Sequence, residues 1–267
     1  MNQTTAATTT SPGSRSLIRI YRTELRNEVL KNLRMPAYTI GSLAFPLMFY
    51  LLFAFMYGSN EIMGTRTAAY MLATMGSFGV VGTALFGYGV SVATERGQGW
   101  MIARRASPMP PLAYFTAKTG MALLMSAIIV VMLFSAAALT QGVTMPAGTW
   151  LKLFAIMVMG VVPFCALGLT FGYLVGPNAA PILVNIIYMP MGFLSGMWMP
   201  LSLLPSFIQS VAPWLPTYHF GQLALLPLGA SELSSPWPSV LYLAVFSVVF
   251  LGLAVVLWRR DAGKTVG

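Results

Sequence analysis

Apolar residues occur in six long runs that are separated by shorter polar segments. The runs cover residues 36–57, 67–93, 112–139, 150–175, 179–199 and 239–258, and none of them contains an acidic residue. A helix of about 20 apolar residues is long enough to cross the hydrocarbon core of a membrane. The pattern therefore predicts an all-α integral membrane protein, with six transmembrane helices in a single transmembrane domain of residues 36–260.

The segment before the first run has a different pattern. In residues 15–35, apolar side chains recur at every fourth position and arginines occupy another face, which is typical of a helix lying in the membrane surface. The apolar row consists of Leu17, Tyr21, Leu25, Val29 and Leu33, and the arginines are Arg15, Arg19, Arg22 and Arg26. Residues 1–14 are rich in Thr, Ser and Ala, so we expect a disordered cytoplasmic tail there and a second tail at 261–267.

A proline-rich segment separates the last two runs. Residues 200–238 contain seven prolines interleaved with aromatic residues, and Glu232 is their only charged residue. Prolines at this density prevent one continuous helix, but the segment is too apolar for a free loop. We expect re-entrant or interfacial helices here, with an irregular backbone that is shielded by protein.

Charge determines the class of protein and its orientation. Only 8% of the residues are charged, against about 25% in an ordinary soluble domain. The net charge is +9, and thirteen of the fifteen Lys and Arg residues lie within 15–34, 96–118 and 259–264. Six spans place these segments on one side of the membrane, which the positive-inside rule assigns to the cytoplasm. We therefore expect a multi-pass protein of the cytoplasmic (inner) membrane with both termini in the cytoplasm, and no nucleic-acid partner.

The residues needed for catalysis do not occur together in the sequence. The only histidine (His219), the only cysteine (Cys165) and the six acidic residues form no nucleophile–base pair and no metal-ligand spacing. No acidic residue lies in mid-span, which argues against a proton- or sodium-coupled carrier. Residues 263–265 resemble the end of a phosphate-binding loop, but the required glycine is replaced by Trp258. We therefore expect no enzyme activity and no bound cofactor, and the energy for uphill transport must come from a partner.

Residues 95–108, here called the charged loop, carry three arginines and one glutamate between two apolar runs. Such a block of charge is too costly to place in hydrocarbon, so it is predicted to be aqueous. Gly97 and Gly99 weaken a helix and Pro108 ends one, which leaves about two helical turns over residues 99–106. Two interpretations follow: an ordinary cytoplasmic loop, or the docking site of a partner protein.

Three features, in this order along the chain, resemble the type-2 ABC transporter permeases, six-span membrane subunits that pair with a separate ATPase. They are the basic amphipathic helix before the first span, a Glu-Arg-x-x-Gly…Arg-x-x-Pro-x-Pro loop at 95–110, and a Ser-Gly…Pro…Pro…Pro run at 195–216. The resemblance extends over residues 16–260. Two positions depart from the family pattern, because Gly97 replaces a common second acidic residue and Trp100 replaces a small or polar one.

The resemblance implies roles for three sets of residues. The charged loop would contain the coupling helix that docks on the ATPase, through Glu95, Arg96, Gly99, Trp100, Arg104, Arg105 and Pro108. Short re-entrant helices would form an outer gate with Trp198, Pro200, Pro205 and Pro213. The substrate pathway would follow spans one, two and five past Phe45, Phe49, Thr74, Phe78, Val81, Asn185 and Tyr188.

The resemblance also implies partners and a function. Two ATPase subunits, which bind the ATP and Mg, would pair with two permease subunits, namely this chain and either a second copy or a paralogue. An apolar, aromatic pathway would suit the export of a hydrophobic or amphiphilic substrate, such as a drug, an antibiotic or a lipid-like molecule. The alternatives are an exporter of lipid-linked polysaccharide and a non-transport polytopic scaffold.

Overall fold

The structure, a computed structural model, describes residues 14–34, 36–100 and 110–263. Helices make up most of this part of the chain, and a small antiparallel β-hairpin supplies its strands. The predicted N-terminal tail, residues 1–14, lies outside the described residues except for Ser14, where the first helix begins.

The α-helices of the described residues are numbered in chain order. They are α1 (Ser14–Leu33), α2 (Pro36–Tyr57), α3 (Thr67–Gly82), α4 (Ser91–Gly97), α5 (Pro111–Gln141), α6 (Ala147–Met159), α7 (Val161–Leu174), α8 (Ala180–Leu194), α9 (Ser206–Val211), α10 (Pro216–Leu225) and α11 (Trp237–Gly263). A π-helical stretch, Thr83–Val90, joins α3 to α4, and short 3-10 helices lie at Leu201–Leu203, Ala212–Trp214 and Leu226–Leu228. Strands β1 (Glu61–Ile62) and β2 (Thr65–Arg66) form the hairpin.

Several of these helices suit a membrane. Four helical stretches are long and apolar enough to cross one, namely Thr67–Gly97, Leu112–Gln141, Ala147–Leu174 and Trp237–Asp261. Two shorter apolar helices, Leu43–Tyr57 and Ala180–Leu194, coincide with the first and fifth apolar runs of the sequence. The fold class is therefore an all-α integral membrane protein, apart from the four residues of the β-hairpin.

The helical stretch 67–97 forms the centre of the protein. Residues 67–81 are all buried, because α2, α5, α6 and α10 pack around α3. The π-helical stretch packs against α7 with almost no side chain between the two backbones. A Cβ added to Gly168 of α7 would lie 2.8 Å from the carbonyl oxygen of Ala84 and 3.3 Å from the nitrogen of Gly89. Small residues thus permit the close helix approach that is common in membrane proteins.

The helices differ from the predicted spans most clearly at three places. The fourth predicted span is divided between α6 and α7 at Gly160, where the ring of Phe220 from α10 occupies the space that a side chain would need. α8 ends at Leu194, before the predicted end of the fifth span, because the chain turns at Gly196 with a φ of +78°. α11 continues to Gly263, into the predicted C-terminal tail.

The proline-rich segment folds as short helices instead of one long helix. α9 and the 3-10 helices beside it enclose a small apolar core made of Leu201, Leu204, Ile208, Ala212 and Tyr218. α10 begins at Pro216, which suits the first turn of a helix. It is almost entirely buried among α3, α6 and α11. The segment is therefore integrated into the helical bundle.

Candidate coupling site and substrate pathway

Four charged side chains meet where α1, α4 and α5 converge, and we call Glu28, Lys31, Glu95 and Lys118 the charge cluster. Lys118 Nζ lies 2.8 Å from Glu28 Oε1 and 2.9 Å from Glu95 Oε1. Lys31 Nζ lies 2.9 Å from Glu28 Oε1 and also pairs with Glu95. The Tyr114 hydroxyl donates to Glu95 Oε2 at 2.6 Å. Each carboxylate therefore contacts both lysines.

The charges of this cluster balance one another inside the protein. Glu28 and Glu95 are each 6% exposed and Lys118 is 2% exposed, and a buried charge is tolerated only when it is paired. Two carboxylates and two ammonium groups sum to zero charge. Burial alone would lower the pKa of Lys31, but the carboxylates of Glu95 and Glu28 outweigh this effect and raise that pKa above its ordinary value.

Arg96, the residue after Glu95, contacts a different pair of helices. Its guanidinium donates to the carbonyl oxygens of Gly172 and Val175 at the C-terminal end of α7, where unpaired carbonyl groups favour a cation. Its Nε lies 3.3 Å from Asp261 Oδ1 of α11. The end of α4 is therefore connected to four other helices through two consecutive residues.

A second group of side chains, the aromatic cluster, consists of Phe45, Phe49, Phe78, Phe86, Tyr188 and Trp198. Phe78 stacks on Tyr188 with ring centres 4.2 Å apart and meets Trp198 edge-on at 5.4 Å. Trp198 lies 5.3 Å from Phe49, and Phe86 lies 5.8 Å from Tyr188. The Tyr188 hydroxyl donates to the carbonyl oxygen of Phe78 at 2.9 Å. The cluster thus connects α2, α3 and α8 with the residues that immediately precede the proline-rich segment.

The aromatic cluster is apolar except for its indole and phenol groups. Trp198 Nε1 is buried and has no hydrogen-bond partner among the described residues. Its six members include no charged side chain. Phe78 and Tyr188 are buried, whereas the other four rings are partly exposed. These four rings therefore suit contact with an apolar body far better than with an ion.

A family model for the ABC-2 type transporter matches residues 21–228. The match includes all members of the charge cluster and the aromatic cluster. The chain belongs to this family. It is also 28% identical over 238 residues to the "Putative transport permease YvfS" of Bacillus subtilis (strain 168), in an alignment that covers 88% of this chain and 95% of that protein. The protein is therefore a multi-pass membrane permease subunit of an ABC transporter, and the family implies an ABC ATPase as its partner.

In this ABC-2 permease, the first two predicted coupling residues contact other helices. The prediction that the charged loop is aqueous throughout is wrong for Glu95, which is buried because lysines on α1 and α5 pair its charge. Gly99 has a φ of +75° in the turn after α4. Trp100 is 52% exposed and lines a cavity of about 330 Å³ beside Lys31. The remaining predicted coupling residues, Arg104, Arg105 and Pro108, lie outside the described residues.

The amphipathic helix of the permease packs along α5. The arginine face contains Arg19, Arg22 and Arg26, which are exposed, and Arg15, whose side chain is not among those described. On the apolar row, Leu17, Tyr21 and Val29 are partly buried, and Leu25 lies against Gly120 of α5. The exposed side chains of Arg19, Arg22 and Arg26 are therefore available to lipid headgroups, while the apolar row contacts protein.

Four of the predicted pathway residues belong to the aromatic cluster, namely Phe45, Phe49, Phe78 and Tyr188. Thr74 and Val81 are buried within α3. Asn185 is exposed, and its amide donates to the carbonyl oxygen of Pro181 in its own helix at 3.0 Å. The structure thus brings the predicted aromatic residues together and leaves Asn185 outside their cluster.

The predicted outer-gate residues lie in three different environments. Trp198 belongs to the aromatic cluster. Pro200 is buried and precedes a 3-10 helix, and Pro205 is exposed and precedes α9. Pro213 is exposed, and its carbonyl oxygen lies 2.9 Å from Nε2 of His219.

Sequence reasoning missed the charge cluster. The sequence pattern groups Lys118 with the cytoplasmic cations, but Lys118 lies inside the apolar run 112–139, and a lysine in an apolar helix requires an acidic partner. That requirement is the signal that could have identified the cluster. Among the described residues, no three His, Cys, Asp or Glu side chains are grouped as metal ligands.

Proposed function

We propose that this permease subunit exports a hydrophobic or amphiphilic substrate, such as a drug, an antibiotic or a lipid-like molecule. The aromatic cluster is the observation that carries this proposal, because it presents stacked rings and no charged side chain along α2, α3 and α8. Rings of this kind bind apolar bodies through large contact areas. The predicted substrate pathway contains four of these rings.

The proposed assembly has two permease subunits and two ATPase subunits. Six spans place both termini in the cytoplasm of the inner membrane, and the proline-rich segment forms the re-entrant outer gate. The ATPase docks on the charged loop and supplies ATP and Mg, since this chain carries no complete phosphate-binding loop. The second permease subunit is either an identical copy or a paralogue.

The proposal is tested by reconstituting the permease with its ATPase in vesicles and adding a hydrophobic rhodamine dye or a fluorescent short-chain phospholipid. We expect either probe to stimulate ATP hydrolysis and to be moved across the membrane in the export direction. Phe49→Ala should raise the half-maximal probe concentration about tenfold, since loss of an aromatic anchor commonly costs more than 1 kcal/mol of binding. Phe207→Ala, at an exposed phenylalanine of α9, is the matched control.

Two results would contradict the proposal. If no ATPase co-purifies and ATP drives no movement of either probe, a non-transport scaffold is the better interpretation. If only lipid-linked polysaccharide stimulates hydrolysis, the protein is a polysaccharide exporter and the aromatic cluster does not select a small amphiphile.

A further inference from the structure

Glu95 and Arg96 are consecutive residues whose side chains leave α4 about 100° apart around the helix axis. As a result, they contact different parts of the protein. Both lie in the last turn of α4, which ends at Gly97, and they are the first two residues of the charged loop. Any displacement of the rest of the charged loop therefore reaches α4 through these two residues.

On one side, Glu95 connects α4 to α1 and α5. Lys31 of α1 and Lys118 of α5 both pair with Glu95, and Glu28 of α1 pairs with both lysines. The three elements thus share one closed set of ion pairs. Because most of these groups are buried, separating them would leave an unpaired charge without water, so they resist moving apart.

On the other side, Arg96 connects α4 to α7 and α11. Its contacts with Gly172 and Val175 engage the last carbonyl groups of α7, and its pair with Asp261 engages the last turns of α11. The Tyr173 ring lies beneath the guanidinium at 5.5 Å. These contacts are partly exposed, so this connection is weaker than the one through Glu95.

We propose that Glu95 and Arg96 are positioning residues that divide the motion of the charged loop between two pairs of helices. Glu95 transmits the motion to α1 and α5, and Arg96 transmits it to α7 and α11. This role rests on the proposed docking of an ATPase at the charged loop. In this role the two side chains contact helices of the permease itself, whereas the family resemblance alone implies contact with the ATPase.

The test uses the full permease–ATPase complex in nanodiscs and hydrogen–deuterium exchange with and without ATP and vanadate. The variants are Lys31→Gln on α1, which weakens the connection through Glu95, and Asp261→Asn on α11, which weakens the connection through Arg96. Both substituted side chains are partly exposed, which favours normal folding. Matched controls change an exposed side chain on the same helices, Asn27→Ala on α1 and Arg260→Gln on α11. The readout is the nucleotide-induced change in exchange within α1 and within the C-terminal turns of α11.

We expect each variant to lose the nucleotide-induced change in exchange only in the helix that carries its substitution. Lys31→Gln should reduce the change in α1 about fivefold and leave the change in α11 as in wild type. Asp261→Asn should reduce the change in α11 about two- to fivefold and leave that in α1. Both controls should respond as wild type does.

Three results would contradict the proposal. If both variants respond like wild type, or if the two helices lose their responses together in each variant, the contacts serve stability alone and the positioning role is overturned. If the wild-type complex does not assemble or hydrolyse ATP, the proposed function is overturned and the positioning role falls with it.

Discussion

Lys118 is an ammonium group that has almost no contact with solvent. Its Nζ is surrounded by the two carboxylates of the charge cluster and by the Ser91 hydroxyl at 2.8 Å. These groups use all three of its donors. The side chain therefore stabilises the protein only as long as both carboxylates remain in place.

We expect Lys118→Met to destabilise the protein by about 3–5 kcal/mol, because two buried carboxylates would then share a single lysine. Adding Glu28→Gln should recover about 1–2 kcal/mol of that loss, since the remaining Lys31 and Glu95 are again balanced. The measurement is thermal unfolding in detergent, followed with a thiol-reactive dye that reports the exposure of buried Cys165. Lys152→Met, at an exposed lysine of α6, should change the midpoint little. A double variant less stable than Lys118→Met would contradict the pairing.

Gly168 is a second position at which a small substitution should have a large effect on stability. We expect Gly168→Ala to destabilise the protein by about 1–3 kcal/mol, because its Cβ would press on the backbone of the π-helical stretch at 2.8 Å. Gly252→Ala on α11 is the matched control, since a Cβ there meets no atom within 4 Å, and it should be neutral or slightly stabilising. The same dye assay measures both variants, and equal unfolding midpoints would disprove the close approach of the two backbones.

At the scale of helices, hydrophobic runs predict much of the structure. Every predicted span contains an apolar helix, and the amphipathic pattern of residues 15–35 corresponds to α1. These predictions succeed because they depend on local periodicity, which can be seen in residues that are close together in the sequence. The fold class and the long apolar helices could therefore be predicted from the sequence alone.

The remaining features depend on residues that are distant in sequence. The interruption at Gly160 accompanies the ring of Phe220, which lies sixty residues further along the chain. Lys118 is paired with Glu28 across ninety residues, and no periodicity indicates that α1 folds back onto α5. Long-range packing thus determines the helix interruptions and the candidate coupling site.

His219 of α10 is expected to make the stability of the protein depend on pH. Burial lowers the pKa of His219 below its ordinary value, although the hydrogen bond to the Pro213 carbonyl acts in the opposite direction. Nδ1 lies 2.9 Å from the Ser239 hydroxyl, and the ring stacks on Tyr242. These contacts connect α10 to the start of α11, and burial favours the neutral imidazole.

We expect the protein to lose stability as the pH falls below about 6.5, because the unfolded chain then binds a proton more readily than the folded chain. The contribution of His219 is fully present above that pH and is lost as the pH falls through its lowered pKa. His219→Gln should flatten the dependence of the unfolding midpoint between about pH 7.5 and 5.5. Since His219 is the only histidine, an unchanged slope in this variant would contradict its neutral, partly buried state.

For the whole molecule, the clustered cations predict one orientation in the membrane. In a Cys165→Ala background, single cysteines at exposed positions Ser59 and Ser234 should react with a membrane-impermeant maleimide on intact cells. A cysteine at exposed Asn27 of α1 should react only after permeabilisation, because the Lys- and Arg-rich side faces the cytoplasm. Labelling of all three positions in intact cells would refute the six-span topology with both termini inside.

The π-helical stretch Thr83–Val90 has a consequence for changes in chain length. Each i→i+5 hydrogen bond accommodates one more residue per turn than an α-helix does, so this stretch is where the long helix absorbs an extra residue. Deleting one residue there can restore α-helical geometry while Glu95 and Arg96 keep their directions. A deletion within α3 cannot be absorbed in this way. It rotates all later residues of the helix by about 100° around the helix axis relative to the residues before it. Natural insertions and deletions in this helix should therefore be confined to residues 83–90.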